Sequence, residues 1–500
     1  MENIYELANI LRKFQDTLAT LIPTKESSQL KKLTQIAFSK VKLTDEQCMI
    51  KIYGDRNVKA FSNLKTRLYD KLTSVLILKQ EILENNEEAT AQQNENIKKI
   101  VGSFILIAQG HKLIGLEMLE KSIVFARNKN FTENVLICSR KLISGYGSDR
   151  YNKYKYNKYL NIQNDYIEIY RWELKAQNYF LELQNYKINS TTNISSEFIN
   201  KSIKYISELD SIKNISSPIF HYNKYRIKAI HFENIKDYNN LLIISNQAIK
   251  DLAIPKYNLP LSMSNIYIRI ILSLIHLNLL DESIKYGEKI ISKINAGTNS
   301  WFRLHYYLVK SYIYNRDYTK AFKLLAYIYM KPSTLKIYPN LNEIFNTILG
   351  YMHLLVKSKY LEIPSSRKEN LPDFKLGKYL NSVPIYSKDK YGINVSILLM
   401  QVAFLLIKKD YNTIIDRIDS LKQYAYRYLR RDDSFRSNCM IKMVVQMTKA
   451  DFHPVRTERY TADLLKQLKS VNLAGSGENI EIEVLPFEVL WDIMLKSLKD

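Results

Sequence analysis

WFRLHYYLVKSYIYNRDYTKAFKLLAYIYMKP, residues 301–332, is the stretch on which the reading of this chain turns. Its apolar residues recur at three- and four-residue steps, the period of a helix with one buried stripe. Outward from it, 154–184, 196–209, 220–252, 262–293, 341–356, 393–429 and 487–498 read the same way. In 97–129 the stripe Ile100, Phe104, Ile107, Leu113, Leu116, Leu119, Ile123 breaks near Gly110, where one helix hands over to the next. Composition agrees. Thirteen glycines and eleven prolines in 500 residues are few, and both residues favour tight turns over long helices. The clearest period-two run is Ile-Glu-Ile-Glu-Val-Leu at 480–485, which predicts at most one short strand.

The stretch 301–332 also resembles a tetratricopeptide repeat. Leu308, Val309 and Tyr312 fall where the family's first helix packs, and Ala321, Leu325 and Ile328 where its second does. Tyr318 takes the aromatic position beside the turn, and Pro332 lies near the closing proline. The small Ala321 lets the second helix approach the first, while Tyr318 covers the crossing. The same second-helix slots are filled by Leu280, Ser283, Gly287 and Ile290, and one step earlier by Tyr238, Leu241, Ser245 and Ala248. A fourth match places Tyr411, Ile414, Ile418 and Leu421. Spacings are irregular, and the family's first-helix tryptophan and glycine are absent. The resemblance implies an all-α fold, a right-handed alpha-solenoid of antiparallel helix pairs, with a small N-terminal helical module ahead of it. The expected organisation is a module at 1–83, a polar linker or solvated helix at 84–96, repeats at 97–360, a proline-containing loop at 361–389, and further helical repeats with a cap at 390–500.

Seventy-three Lys and Arg against 50 Asp and Glu give a formal charge of +23, which favours polyanionic partners. The abundance of Lys, Asn, Ile and Tyr also fits a compositional origin. Cys48, Cys138 and Cys439 are odd in number and far apart, so they read as core residues and not as a disulfide or metal framework. The longest apolar stretch, 395–407, is too short to span a bilayer, and no hydrophobic signal region opens the chain. The expected setting is cytoplasmic, without a membrane partner.

Sequence signatures of catalysis are absent: no P-loop, no H-E-x-x-H, no paired C-x-x-C, no nucleophile elbow. The Gly-rich spot at 474–478 reads as a turn, and His276 and His305 as structural histidines. No enzyme activity, cofactor or metal is expected. The resemblance instead implies a scaffold or adaptor that binds a protein or peptide along its first helices. The groove positions would be Arg226, Arg303, Tyr306, Lys310 and Tyr314, cations and aromatics suited to an acidic segment or a terminal carboxylate. The alternative is a nucleic-acid-binding regulator. Thr44 can cap a short helix that Gly54 ends, and a second helix from near Asn57 would bury Val58, Phe61, Leu64 and Leu68. With Arg56, Lys59, Lys65 and Arg67 around it, this has the outline of a helix-turn-helix. A third basic candidate, 140–160, interleaves cations with five tyrosines, a mixture that also suits single-stranded nucleic acid.

Overall fold

The computed structural model describes residues 1–14, 28–39, 41–79, 88–148, 151–189, 196–252, 260–362, 371–382, 393–428, 435–472, 480 and 482–499. Helix is the dominant structure of those residues, and no strand occurs among them. None of the described helices is long and apolar enough to cross a membrane. The chain divides into two compact units, Met1–Val101 and Gly102–Asp500.

In the first unit, α1 (Glu2–Ile10) packs on α2 (Ser28–Phe38) and α4 (Val58–Lys79), and α2 also packs on α3 (Asp45–Tyr53) and α4. Thr44 and Gln47 close a capping box at the start of α3, and Gly54 ends that helix with φ of 80°. Asn57 then caps α4 by accepting from the Ala60 N–H at 3.1 Å. The core is Ala8, Leu11, Leu30, Leu33, Cys48, Phe61, Leu64, Leu68, Leu72 and Val75. Val58, expected in that core, is 67% exposed because it stands at the first residue of α4, ahead of the buried stripe.

Within the stretch expected as a polar linker or a solvated helix, residues 88–96 are helical, the start of α5 (Glu88–Ala108), and Asn96 is buried. The remaining linker positions, 84–87, lie outside the described residues. The second unit begins within the same helix.

From there the chain runs through α6 (Lys112–Lys129), α7 (Thr132–Gly147), α8 (Lys153–Asn189), α9 (Ser196–Ser211), α10 (Pro218–Asn234), α11 (Tyr238–Leu252), α12 (Pro260–His276), α13 (Leu280–Ile291), α14 (Asn299–Tyr314) and α15 (Tyr318–Tyr329). After a single turn at Pro332–Leu335 come α16 (Pro339–Lys357), α17 (Leu376–Ser382), α18 (Ile393–Ile407), α19 (Tyr411–Tyr428), α20 (Phe435–Lys449), α21 (Pro454–Ser470) and α22 (Phe487–Lys499). Each helix from α6 to α16 packs on its sequence neighbours, and α8 with α10, α12 with α14, and α16 with α18 meet across an intervening element. The last helix returns to pack on α18, α20 and α21. The proline-containing segment is partly helical at α17, with Leu361 and Leu371 buried; residues 363–370 and 383–390 lie outside the description.

Among the described residues, six joints share one backbone. A residue at positive φ (Gly110, Asn130, Lys236, Asn278, Arg316 or Lys409) ends the first helix. The next N–H reaches five residues back, as from Phe131 to Ala126, Asp237 to Phe232, Leu279 to Leu274 and Asp317 to Tyr312, each at 2.9 Å. This closure satisfies the last carbonyls of one helix and starts the next within two residues. Measured from that residue, Tyr238, Leu280, Tyr318 and Tyr411 stand at one position of the second helix. The next matched positions are Leu241, Ser283, Ala321, Ile414, then Ser245, Gly287, Leu325, Ile418, then Ala248, Ile290, Ile328, Leu421, and all twelve are buried. Thr132, Val135, Ser139 and Leu142 of α7 repeat the register from Asn130, buried as well. The small members are set by close approach: a Cβ at Gly287 would meet Leu308 Cδ1 at 3.0 Å, and Ser283 Oγ lies 2.7 Å from Ser311 Oγ.

Candidate functional site

The first helices of three successive pairs, α10, α12 and α14, carry a polar ladder. Asn223, Asn265 and Arg303 stand at one register, each thirteen residues before the positive-φ residue of its own joint. Arg303 Nη1 donates to Asn265 Oδ1 at 3.1 Å, Asn265 Nδ2 donates to the Tyr222 hydroxyl at 3.2 Å, and Arg226 Nη1 donates to Asn223 Oδ1 at 3.0 Å. The Arg226 guanidinium lies over the Phe180 ring, 3.4 Å from its centroid, with Tyr222 on the same helix at 5.4 Å. Arg269, one turn after Asn265, faces Glu233 Oε2 through its buried Nε at 3.4 Å, and its Nη1 lies 3.5 Å from the Asn265 carbonyl.

Arg226, Arg269 and Arg303 are thus linked through Asn265 and Tyr222, with Glu233 the carboxylate that pairs with one of them. Neither Arg226 nor Arg303 has an ion pair among the described residues. Burial holds the Arg226 guanidinium below its ordinary value, and Arg269 adds to the depression. At Arg269 burial acts in the same direction but Glu233, with the surrounding tyrosines, outweighs it and raises the value.

Further along α14 the face is covered by the chain itself. Lys310 is 0% exposed; its Nζ donates to the Glu483 and Val484 carbonyls at 2.7 and 3.1 Å, and it lies over the Tyr314 ring at 4.7 Å. The Tyr314 hydroxyl donates to the same Glu483 carbonyl. Ile480 joins Ile268, Ile271, Leu272, Ile275 and Leu304 in one apolar cluster. Residues 480 and 482–485 are turn and bend, not strand; the alternation reflects a strap whose side chains enter two different packings. Glu483 points away from Lys310: its carboxylate takes Arg436 Nε at 2.9 Å and Nη2 at 2.7 Å, and accepts the Phe487 N–H at 2.9 Å. Glu488 takes Arg436 Nη2 through both oxygens at 2.9 and 2.8 Å, and the Leu468 carbonyl accepts from Nη1 at 3.0 Å. The Arg436 side chain is 4% exposed and that of Glu483 1%.

Of the five residues expected to line the groove, Arg226 and Arg303 reach one ladder. Lys310 and Tyr314 are engaged by the strap, and Tyr306 is buried edge-on to Tyr307 and Phe345. Sequence reading passed over Tyr222, Asn265, Arg269 and Glu233. Counting back from the joint would have found Asn265, but the joints had to be located first.

The basic N-terminal candidates are largely paired. Lys65 Nζ lies 2.6 Å from Asp45 Oδ2, and Asp45 also takes the chain's N-terminal ammonium at 2.8 Å. Arg56 lies 3.7 Å from Glu46, whereas Lys59 and Arg67 are exposed. In 140–160, Tyr146 and Tyr159 both donate to Glu120 Oε1 at 3.0 Å and Lys155 sits 2.8 Å from it, leaving Tyr151 and Tyr154 exposed. His276 stacks on Tyr238 at 3.9 Å, and His305 Nδ1 lies 2.8 Å from the Trp301 carbonyl; burial lowers both to about 4. All three cysteines are buried, and burial pushes Cys138 up to about 12. No group of His, Cys, Asp and Glu that could hold a metal occurs among the described residues. In comparisons with family models, curated proteins and solved structures, nothing matches this chain.

Proposed function

We propose that this chain is a non-enzymatic scaffold or adaptor, a tetratricopeptide-like stack of helix pairs that binds an acidic segment of a partner protein across α10, α12 and α14. The observation that carries the reading is the set of three arginines from three helices with a single carboxylate among them. A half-buried positive excess costs free energy in the unliganded protein, and an anionic ligand offsets that cost. The recurring joint supports the repeat reading, because a stack of like pairs presents its first helices side by side. Fluorescence anisotropy with a labelled glutamate-rich peptide tests it. The expected result is salt-sensitive binding by the full chain, reduced at least tenfold by Arg226→Glu with Arg303→Glu while helicity is unchanged. Equal binding by the variant removes this face from consideration.

The second reading, a nucleic-acid-binding regulator, rests on exposed Lys59 and Arg67 of α4. It has less support, since Lys65 is paired with Asp45 of the same unit. Duplex DNA binding that is lost on Lys59→Glu with Arg67→Glu would favour it; no binding at low salt would sink it.

A further inference from the structure

The cluster on α10, α12 and α14 is specific enough to name the anion. We propose that Arg226, Arg269 and Arg303 form a site for a phosphate dianion carried on a side chain of the partner segment, an inference that rests on the binding face proposed above.

Charge balance is the first argument. Three guanidiniums and Glu233 leave two positive charges around Asn265 and Tyr222. A single carboxylate would neutralise one of them. A phosphorylated Ser, Thr or Tyr carries about −1.5 to −2 at pH 7 and neutralises both.

Donor geometry is the second. Arg226 and Arg303 each use one Nη atom on an asparagine side chain, which fixes the planar group and leaves its other N–H donors for an oxyanion. Phe180 backs the Arg226 plane, so the fork is held rather than swinging. Arg269 faces Glu233 Oε2 through its Nε at 3.4 Å, and its Nη1 lies 3.5 Å from the Asn265 carbonyl, beside the same ladder.

The Arg226 guanidinium, packed on Phe180 and Tyr222, is also held below its ordinary value by burial and by the neighbouring Arg269, whose own charge Glu233 supports. An anion beside Arg226 opposes that depression. Contributions from three separate helices also mean that the site exists only when the pairs are stacked as they are here.

The experiment titrates the full chain calorimetrically with three capped peptides of one glutamate-rich sequence that differ at the central residue: phosphoserine, serine or glutamate. Inorganic phosphate is titrated separately. The expected order is phosphoserine at least tenfold tighter than serine, with glutamate between them and inorganic phosphate weakest. Arg226→Gln with Arg303→Gln should abolish the phosphoserine advantage while the melting temperature holds. Arg269→Lys, which keeps the charge and loses the fork, should reduce it about tenfold. Equal affinity for the three peptides overturns the phosphate assignment and leaves the acidic-segment reading standing. Failure of all three peptides to bind overturns both. Inorganic phosphate binding as tightly as the phosphopeptide overturns the assignment to a partner side chain, and a phosphoserine advantage that survives in the double variant overturns the location.

Discussion

Replacing Glu483 with Ala tests what fixes the strap and, through it, the last helix. The substitution removes both carboxylate oxygens that Arg436 uses through Nε and Nη2, and orphans the Phe487 N–H. Arg436 keeps Glu488 and the Leu468 carbonyl, so the guanidinium is weakened but not stripped. Removing one partner of a buried, hydrogen-bonded pair costs roughly 3–5 kcal/mol, and retention of Glu488 places the expectation near about 3 kcal/mol. Because the strap and α22 are joined, the loss should be local to 482–499. Hydrogen exchange followed by mass spectrometry reads it directly. Amides of α22 should exchange roughly a hundredfold faster, while those of α10 and α11 keep their rates. Arg436→Met combined with Glu483→Ala should cost well under the sum of the single changes. Strictly additive costs, or unchanged exchange in α22, would refute the role assigned to the pair.

Acid should destabilise the second unit before its carboxylates titrate. His276 and His305 are held at about 4 against about 6.5 for free imidazole, so between these values the unfolded chain binds protons that the folded chain refuses. The stability intact above pH 6.5 is then lost as pH falls toward 4, by about 2–3 kcal/mol per histidine; melting curves at pH 7.5 and 5 should show it, and His305→Gln should flatten the slope. Gly115→Ala drives a Cβ to 2.5 Å from Ile107 Cγ1 and 2.9 Å from the Ser103 carbonyl, and should lower stability by about 1–3 kcal/mol, checked by thermal melting. At the joint between α14 and α15, Arg316 has φ of 59°; Arg316→Gly should be neutral or slightly stabilising, whereas the branched Arg316→Val should cost about 1–2 kcal/mol in the same assay.

What the sequence disclosed, and what it hid, divides by range. Second-helix slots were legible because each needs an apolar or small residue at fixed distance from a local joint; Ala321 and Gly287 show the same constraint with different residues. The α6–α7 pair was passed over because Thr132 stands where the other pairs carry Tyr or Leu. Apart from the one at Gly110, the joints were inconspicuous, since Asn, Lys and Arg adopt the left-handed conformation where glycine would have announced a turn. Lys310 could not be placed from its neighbours: the carbonyls that bury it come from Glu483 and Val484, far along the chain. The same holds for Arg269, whose carboxylate sits on another helix. Arg226 and Arg303 were expected on the first helices from the tetratricopeptide resemblance, and their side chains reach Asn223 and Asn265.

The most direct test of the central claim, that acidic segments bind across α10, α12 and α14, is photo-crosslinking of a diazirine-bearing glutamate-rich peptide to the full chain, with the adducts mapped by mass spectrometry. The account predicts adducts within Pro218–Asn234, Pro260–His276 and Asn299–Tyr314, lost in the Arg226→Glu, Arg303→Glu variant. Adducts concentrated on Val58–Lys79, or spread over the chain and indifferent to those substitutions, would contradict it.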